Sequence, residues 1–217
     1  MKNYSKPDHW SAKAQKEGYP ARSVYKLKEM DEKLCLLKPH RETMKILDLG
    51  ASPGSWSLYI MRKYLGNTGR SDTIRFSLVS VDLAPLSHQQ DEGLFERPEF
   101  LFIQGDFTQE AVREEILAKG PFNLIVSDAA PATTGNRSID TLRSLDLAET
   151  ALGYAETALV KGGNLVIKVF QGGEAGAFLK NLRSFFEKAR SFKPEACRPE
   201  SFETYYLGLG KKSTTPP

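Results

Sequence analysis

Met44-Lys45-Ile46-Leu47-Asp48-Leu49-Gly50-Ala51-Ser52-Pro53-Gly54-Ser55-Trp56 is the stretch on which the fold turns. Ile46, Leu47 and Leu49 make an apolar run of strand length, which breaks into Gly-Ala-Ser-Pro-Gly before helical periodicity begins. A strand that enters a glycine-rich turn and opens a helix is how a doubly wound α/β sheet presents backbone N–H groups to a nucleotide-like ligand. Gly50 and Gly54 carry no Cβ, so the chain can turn sharply and a ligand can come close. Pro53 sits inside the turn and no G-x-G-x-x-G is present, so this is not the dinucleotide fingerprint. No Gly-Lys-Ser/Thr follows, which excludes a P-loop. Taken alone the turn is an ordinary strand–turn–helix. The strands downstream give it company.

Residues 76–82 read as a second strand ending in Asp82. At that place in nucleotide-binding α/β folds an acidic residue accepts hydrogen bonds from ribose hydroxyls. Its distance from the glycine turn exceeds the usual ~20 residues, so Asp82 rests on its strand-end position. Residues 100–107 form a third strand carrying Asp106 and Phe107, and residues 122–128 a fourth, running into Asp128-Ala129-Ala130-Pro131. Successive strands thus deliver carboxylates to the carboxyl edge, where open α/β sheets bind their ligands. Residues 164–170 form a fifth strand, apolar except for Lys168. A buried, charged and unpaired lysine costs roughly several kcal/mol, so Lys168 must be paired, neutralised or turned to a cleft. A final strand covers residues 204–209, with Glu203 at its entrance.

Helical periodicity marks residues 23–35, with Lys26 beside the apolar stripe, and residues 55–64 and 108–118. A long helix carries Leu142, Leu145, Leu152, Ala155 and Leu159 as its buried row and stops at Lys161-Gly162-Gly163. Phe178, Leu179, Leu182, Phe185 and Phe186 form the stripe of another. Residues 65–75 and 132–138 have loop composition, and residues 189–200 are basic and extended. Residues 1–22 interleave Lys2, Tyr4, Lys6, His9, Trp10, Lys13, Lys16, Tyr19 and Arg22. That pattern fits either a frayed terminus or a surface for phosphates and bases. The expected organisation is a basic extension over 1–22, one domain over 23–210 and a disordered tail over 211–217.

The 217 residues are enough for one α/β domain with a sizeable core. A net charge of +3 excludes a histone-like field, so any nucleic-acid surface is a local patch. The two cysteines, Cys35 and Cys197, lack C-x-x-C spacing, which argues for reduced thiols and against a disulfide scaffold or a metal site. No apolar run approaches ~18 residues and the first residues lack a signal-peptide core, so a cytoplasmic protein with no membrane contact is expected.

Read in order, the chemistry-bearing residues are Lys26, the glycine turn, Asp82, Gln104-Gly105-Asp106-Phe107, Ser127-Asp128-Ala129-Ala130-Pro131, Val166-Ile167-Lys168-Val169-Phe170-Gln171-Gly172 and Glu203. This order resembles the FtsJ/RrmJ family of S-adenosylmethionine-dependent RNA ribose 2′-O-methyltransferases, over nearly the whole chain. The resemblance implies a single Rossmann-like α/β domain, with a mostly parallel seven-stranded sheet, helices on both faces and an antiparallel final strand. It implies Lys26, Asp128, Lys168 and Glu203 as a catalytic quartet. It also implies an S-adenosylmethionine site built from Gly50, Ser52, Pro53, Gly54, Trp56, Asp82, Asp106, Phe107 and Asp128, with no metal. The implied partner is RNA, a uridine of large-subunit ribosomal RNA in compact members, and the expected state is a monomer. Within the resemblance Lys168 is the proton acceptor, Asp128 and Glu203 set geometry and charge, and Lys26 positions the hydroxyl. The family's Asn after the proline is here Ala132, and the 65–75 connection is longer than usual. A transfer-RNA methyltransferase and a non-catalytic ribosome-assembly module are the competing readings. A NAD-dependent oxidoreductase is disfavoured by the missing fingerprint and by Lys168.

Overall fold

The structure, a computed structural model, describes residues 8–38, 43–66, 75–198 and 200–213. Lys2, Tyr4, Lys6, most of the 65–75 connection and residues 214–217 of the expected tail lie outside the described residues. Strands β1 (Met44–Leu49), β2 (Phe76–Asp82), β3 (Phe100–Gln104), β4 (Phe122–Ser127), β5 (Leu159–Phe170), β6 (Phe186–Phe192) and β7 (Glu203–Lys211) form one sheet in the order β3-β2-β1-β4-β5-β7-β6. β1 to β5 pair in parallel, and β7 runs antiparallel between β5 and β6. Parallel neighbours need long crossovers, which the helices supply.

Helices α2 (Val24–Leu34) and α3 (Ser55–Leu65) cover one face through Leu27, Met30, Ile60 and Met61. Helices α4 (Glu110–Leu117), α5 (Arg137–Ala158) and α6 (Ala175–Phe185) cover the other through Ile116, Leu145, Leu152, Phe178 and Leu182. Helix α1 (His9–Lys16), capped by Asp8 accepting from Ser11 N at 2.8 Å, buries Ala14 against Val24, Tyr25 and Ala196. Its aromatic and basic residues turn on one another: Trp10 lies 5.0 Å from Tyr25, and Lys13 Nζ stands 4.8 Å over the Tyr25 ring. Among the described residues no helix is long and apolar enough to cross a membrane.

Four local expectations are corrected. Leu142 is not in the buried row of α5 but 58% exposed, because Thr141 and Ser144 take the inward positions of those turns. Ser144 does so usefully, accepting from Phe170 N at 3.0 Å. Leu159 belongs to β5, not to α5. Phe186 starts an edge strand, β6, instead of ending a helical stripe. Its ring fills the space over Gly208, where a Cβ would stand 2.5 Å from it. Lys211, expected in the tail, closes β7, where its buried Nζ donates to Glu156 O at 2.7 Å and Leu159 O at 2.9 Å. Glu156 lies in the last turn of α5 and Leu159 just past it, where carbonyls have no partner within the helix.

Candidate active site

The strand order reverses between β1 and β4, and an open α/β sheet leaves a crevice at such a point. Gly50 follows β1 there with φ +75° and sends its N–H to Val81 O at 2.9 Å. A Cβ on Gly50 would meet Ala129 Cα at 2.6 Å, so two strand ends pass each other only because this residue is glycine. The crevice opens into a cleft of about 600 Å³. Gly50 and Ser52 line it after β1, Asp82 and Leu83 after β2, and residues 106–108 after β3. Residues 128–132 follow β4, and Arg143, Asp146 and Leu147 of α5 form the far wall.

The carboxylates of this cleft are aimed by backbone. Asp82 Oδ2 accepts from Ser52 N at 2.9 Å and Oδ1 from Ala84 N at 2.8 Å. Asp106 Oδ1 accepts from Thr108 N at 2.9 Å and Thr108 Oγ1 at 2.7 Å. Three residues expected here do not line the cleft. Pro53 supports it from behind, its carbonyl accepting from Ser87 N at 3.0 Å. Gly54 starts α3 with φ +107°, and a Cβ there would press on Phe95 at 3.0 Å. Trp56 is buried, donating from Nε1 to Ser23 O at 2.8 Å and facing Tyr205 with ring centroids 5.8 Å apart. It braces the start of α2, and hence Lys26.

A second cleft, of about 610 Å³, holds Lys26 and Glu203 together with Arg22, Arg137, Arg198 and Phe202. One loop bounds both clefts, with Ala132 in the first and Thr133 in the second. Asp140 pins it, accepting from Thr134 N at 2.7 Å and Thr134 Oγ1 at 2.9 Å. Of the four expected catalytic side chains, Asp128 lines the first cleft, Lys26 and Glu203 line the second, and Lys168 reaches Asp128 from β5. Lys26 Nζ lies 2.9 Å from Glu203 Oε1, and Lys168 Nζ lies 3.1 Å from Asp128 Oδ1 while also donating to the Asp128 carbonyl. Tyr205 joins the pairs: its hydroxyl donates to Asp128 Oδ1 at 2.5 Å, and Lys26 Nζ is 5.8 Å from its ring centroid.

Charge within the quartet is balanced by contact. Burial pulls the Lys26 ammonium down, but the Asp128 and Glu203 carboxylates outweigh it and leave it above its ordinary value. Burial pushes the Asp128 carboxyl up, and Lys168, Lys26 and the Tyr205 hydroxyl together hold it below the usual carboxylate range. Behind the site, burial and the Glu203 charge push the Cys197 thiol up to about 12, so it stays a thiol at neutral pH.

A model of the FtsJ-like methyltransferase family matches residues 19–211. The chain belongs to that family. A Treponema denticola protein named ribosomal RNA large subunit methyltransferase E is 49% identical over 96% of this chain and 97% of its own length. A Borreliella afzelii protein of the same name is 40% identical over 93% of this chain and 96% of its own. A Plasmodium falciparum crystal structure assigned as a ribosomal RNA methyltransferase superposes with a TM-score of 0.70 at 25% identity, covering 89% of this chain and 98% of that one.

Within this FtsJ-like site, the sequence reading gave no role to Tyr205 and Phe202, which flank Glu203, or to the α5 wall. A signal for Tyr205 existed. Side chains two apart on a strand share a face, so Glu203 carries Tyr205 with it. Tyr205 also sits directly opposite Lys168 in the β5–β7 register. Arg143 and Asp146 gave no signal, since only the position of α5 over the sheet brings them to the cleft.

Proposed function

We propose that this protein transfers the methyl group of S-adenosylmethionine to a ribose 2′-hydroxyl of RNA, in the large ribosomal subunit, as a cytoplasmic monomer. The observation that carries the reading is the linked quartet between two clefts of similar size, with Asp128 lining one, Lys26 and Glu203 lining the other, and Lys168 paired with Asp128. One cleft has the features a nucleoside cofactor needs. Asp82 and Asp106 offer acceptors for ribose and adenine, and Leu83, Phe107 and Leu147 offer apolar surface for the ring. The turn at Gly50 lets the ends of β1 and β4 close together at the floor of that cleft, beside Asp128. The other cleft is edged by Arg22, Arg137, Arg198 and Lys26, which suits phosphates, and by Phe202, which suits a base. Large-subunit RNA is taken from the names of the relatives, which align along almost their full length.

S-adenosylmethionine supplies an electrophilic methyl on a sulfonium. The chain's residues do the rest. Lys26, fixed by Glu203, holds the 2′-hydroxyl in line with the first cleft. Asp128, itself held by Tyr205, fixes Lys168, and Lys168 is the group that takes the hydroxyl proton as the oxygen is alkylated. A substituted oxygen becomes strongly acidic during the transfer, so alignment, more than base strength, carries most of the acceleration.

The test is label transfer. The protein is incubated with methyl-labelled S-adenosylmethionine and large-subunit particles lacking the modification, and the RNA is then hydrolysed in alkali. A 2′-O-methyl group blocks cleavage of the next phosphodiester, so label is expected in an alkali-stable dinucleotide. Label in mononucleotides, or none in RNA, contradicts the reading.

A further inference from the structure

Large apolar side chains left in water mark contact sites. The described residues expose three: Leu83 at 69%, Leu142 at 58% and Ile139 at 41%. Leu83 already lines the first cleft. Ile139 and Leu142 stand one turn apart at the start of α5, so they share a helix face. Beside them lies a groove of about 320 Å³, bounded by residues 137, 138, 141 and 142 of α5 and by Gly172 and Gly173 after β5. Both glycines have positive φ, +140° and +50°, and neither puts a side chain over the groove. Beneath the turn, Thr141 Oγ1 is buried with no hydrogen-bond partner among the described residues.

The groove continues the second cleft. Arg137 lines both. Its guanidinium lies 5.2 Å from the ring centroid of Phe202, on the substrate side, and its Nη2 donates to Gln171 O at 3.4 Å, on the groove side. Gln171 follows β5 three residues after Lys168, which puts the groove roughly 10 Å along the strand from the quartet. We propose that it holds the nucleotide adjacent to the methylated one, with its base laid on Leu142 and Ile139 and the connecting phosphate at Arg137. The inference rests on the RNA reading above. Proteins that read single-stranded RNA splay bases out, stack them on aromatic rings or guanidinium planes and meet phosphates with guanidinium; here Arg137 supplies the guanidinium and Leu142 and Ile139 the apolar surface beside it. Two aliphatic side chains suit one base. They are too few for the centre of a protein interface, which buries about 800 Å² per partner. Arg137 is the charged residue of the groove lining, and its sign fits a phosphate.

The test uses the full chain and unmodified large-subunit particles. Leu142→Asp, an exposed change, places a carboxylate where the base would stack. Its KM for the particles is expected to rise at least tenfold, with kcat at saturating particles and the KM for S-adenosylmethionine within twofold of the parent. With p-benzoylphenylalanine in place of Leu142, irradiation is expected to give an RNA adduct within about two nucleotides of the methylated ribose. An unchanged KM overturns the inference, as does an adduct to a ribosomal protein, to distant RNA or to nothing. Failure of the parent to methylate any RNA is a separate result that removes the RNA reading and this inference with it.

Discussion

Asp48 shows how one residue of the glycine-turn motif is used by the fold. Its Oδ2 accepts from Ser57 Oγ at 2.8 Å, Ser57 Oγ lies 3.0 Å from Ser80 Oγ, and Oδ1 has no partner among the described residues. Burial raises its pKa to about 7; the Ser57 hydrogen bond opposes the shift, and the Asp128 and Asp82 charges add to it. A neutral carboxyl here keeps another negative charge away from the cleft. The pH consequence has a definite sign. In the unfolded chain an aspartate loses its proton near pH ~4, whereas the fold holds this one to about 7. Between those values the unfolded chain binds fewer protons, so Asp48 makes stability fall as pH rises through that window and level off above it. Asp48→Asn removes the effect. Its melting temperature should drop less than the parent's between about pH 5 and about pH 8. Parallel melting curves for the two across that range would show that Asp48 is ionised in the fold.

At the scale of elements, the site depends on how β1 and β4 end side by side. Gly50→Ala tests that dependence. A left-handed φ costs a non-glycine residue roughly 1–2 kcal/mol, and the added methyl would also press into Ala129, next to Asp128. The expected result is a melting temperature lower by more than about 3 °C, with at least tenfold weaker binding of S-adenosylmethionine by calorimetry. Unchanged affinity would mean that the first turn is not beside the cofactor. This motif was legible in the sequence because a buried parallel strand, a glycine turn and a helix each leave a local pattern. The carboxylates at the ends of β2, β3 and β4 were legible for the same reason. Strand β6 was not legible as a strand: it lies at the sheet edge, only Phe186 is buried along it, and its charged residues read as part of a basic, extended segment. Trp56 was grouped with the cleft because it closes the glycine-turn motif, while its own side chain lies on the helix face turned to the core. Leu142 misled because periodicity reports spacing and not which of two helix faces meets the sheet.

Across the whole molecule, the two clefts come from different parts of the chain and are linked by four side chains drawn from α2, the end of β4, β5 and β7. The family resemblance could name those four from sequence. Only the packed sheet shows that Tyr205 links them and that each lysine is paired with a carboxylate. The central claim is that both clefts serve one transfer at that junction, with Lys168 taking the proton. Lys168→Arg tests it most directly, because arginine keeps the charge beside Asp128 but stays protonated under working conditions. The measurement is single-turnover methyl transfer with S-adenosylmethionine and RNA particles both saturating, which removes the binding contributions of the two clefts. The account predicts that the variant folds, binds both ligands and transfers methyl at least about a thousandfold more slowly, a barrier change of ~4 kcal/mol. A rate within about tenfold of the parent, ~1.4 kcal/mol, would contradict it and leave Lys168 as a charge that only positions its neighbours.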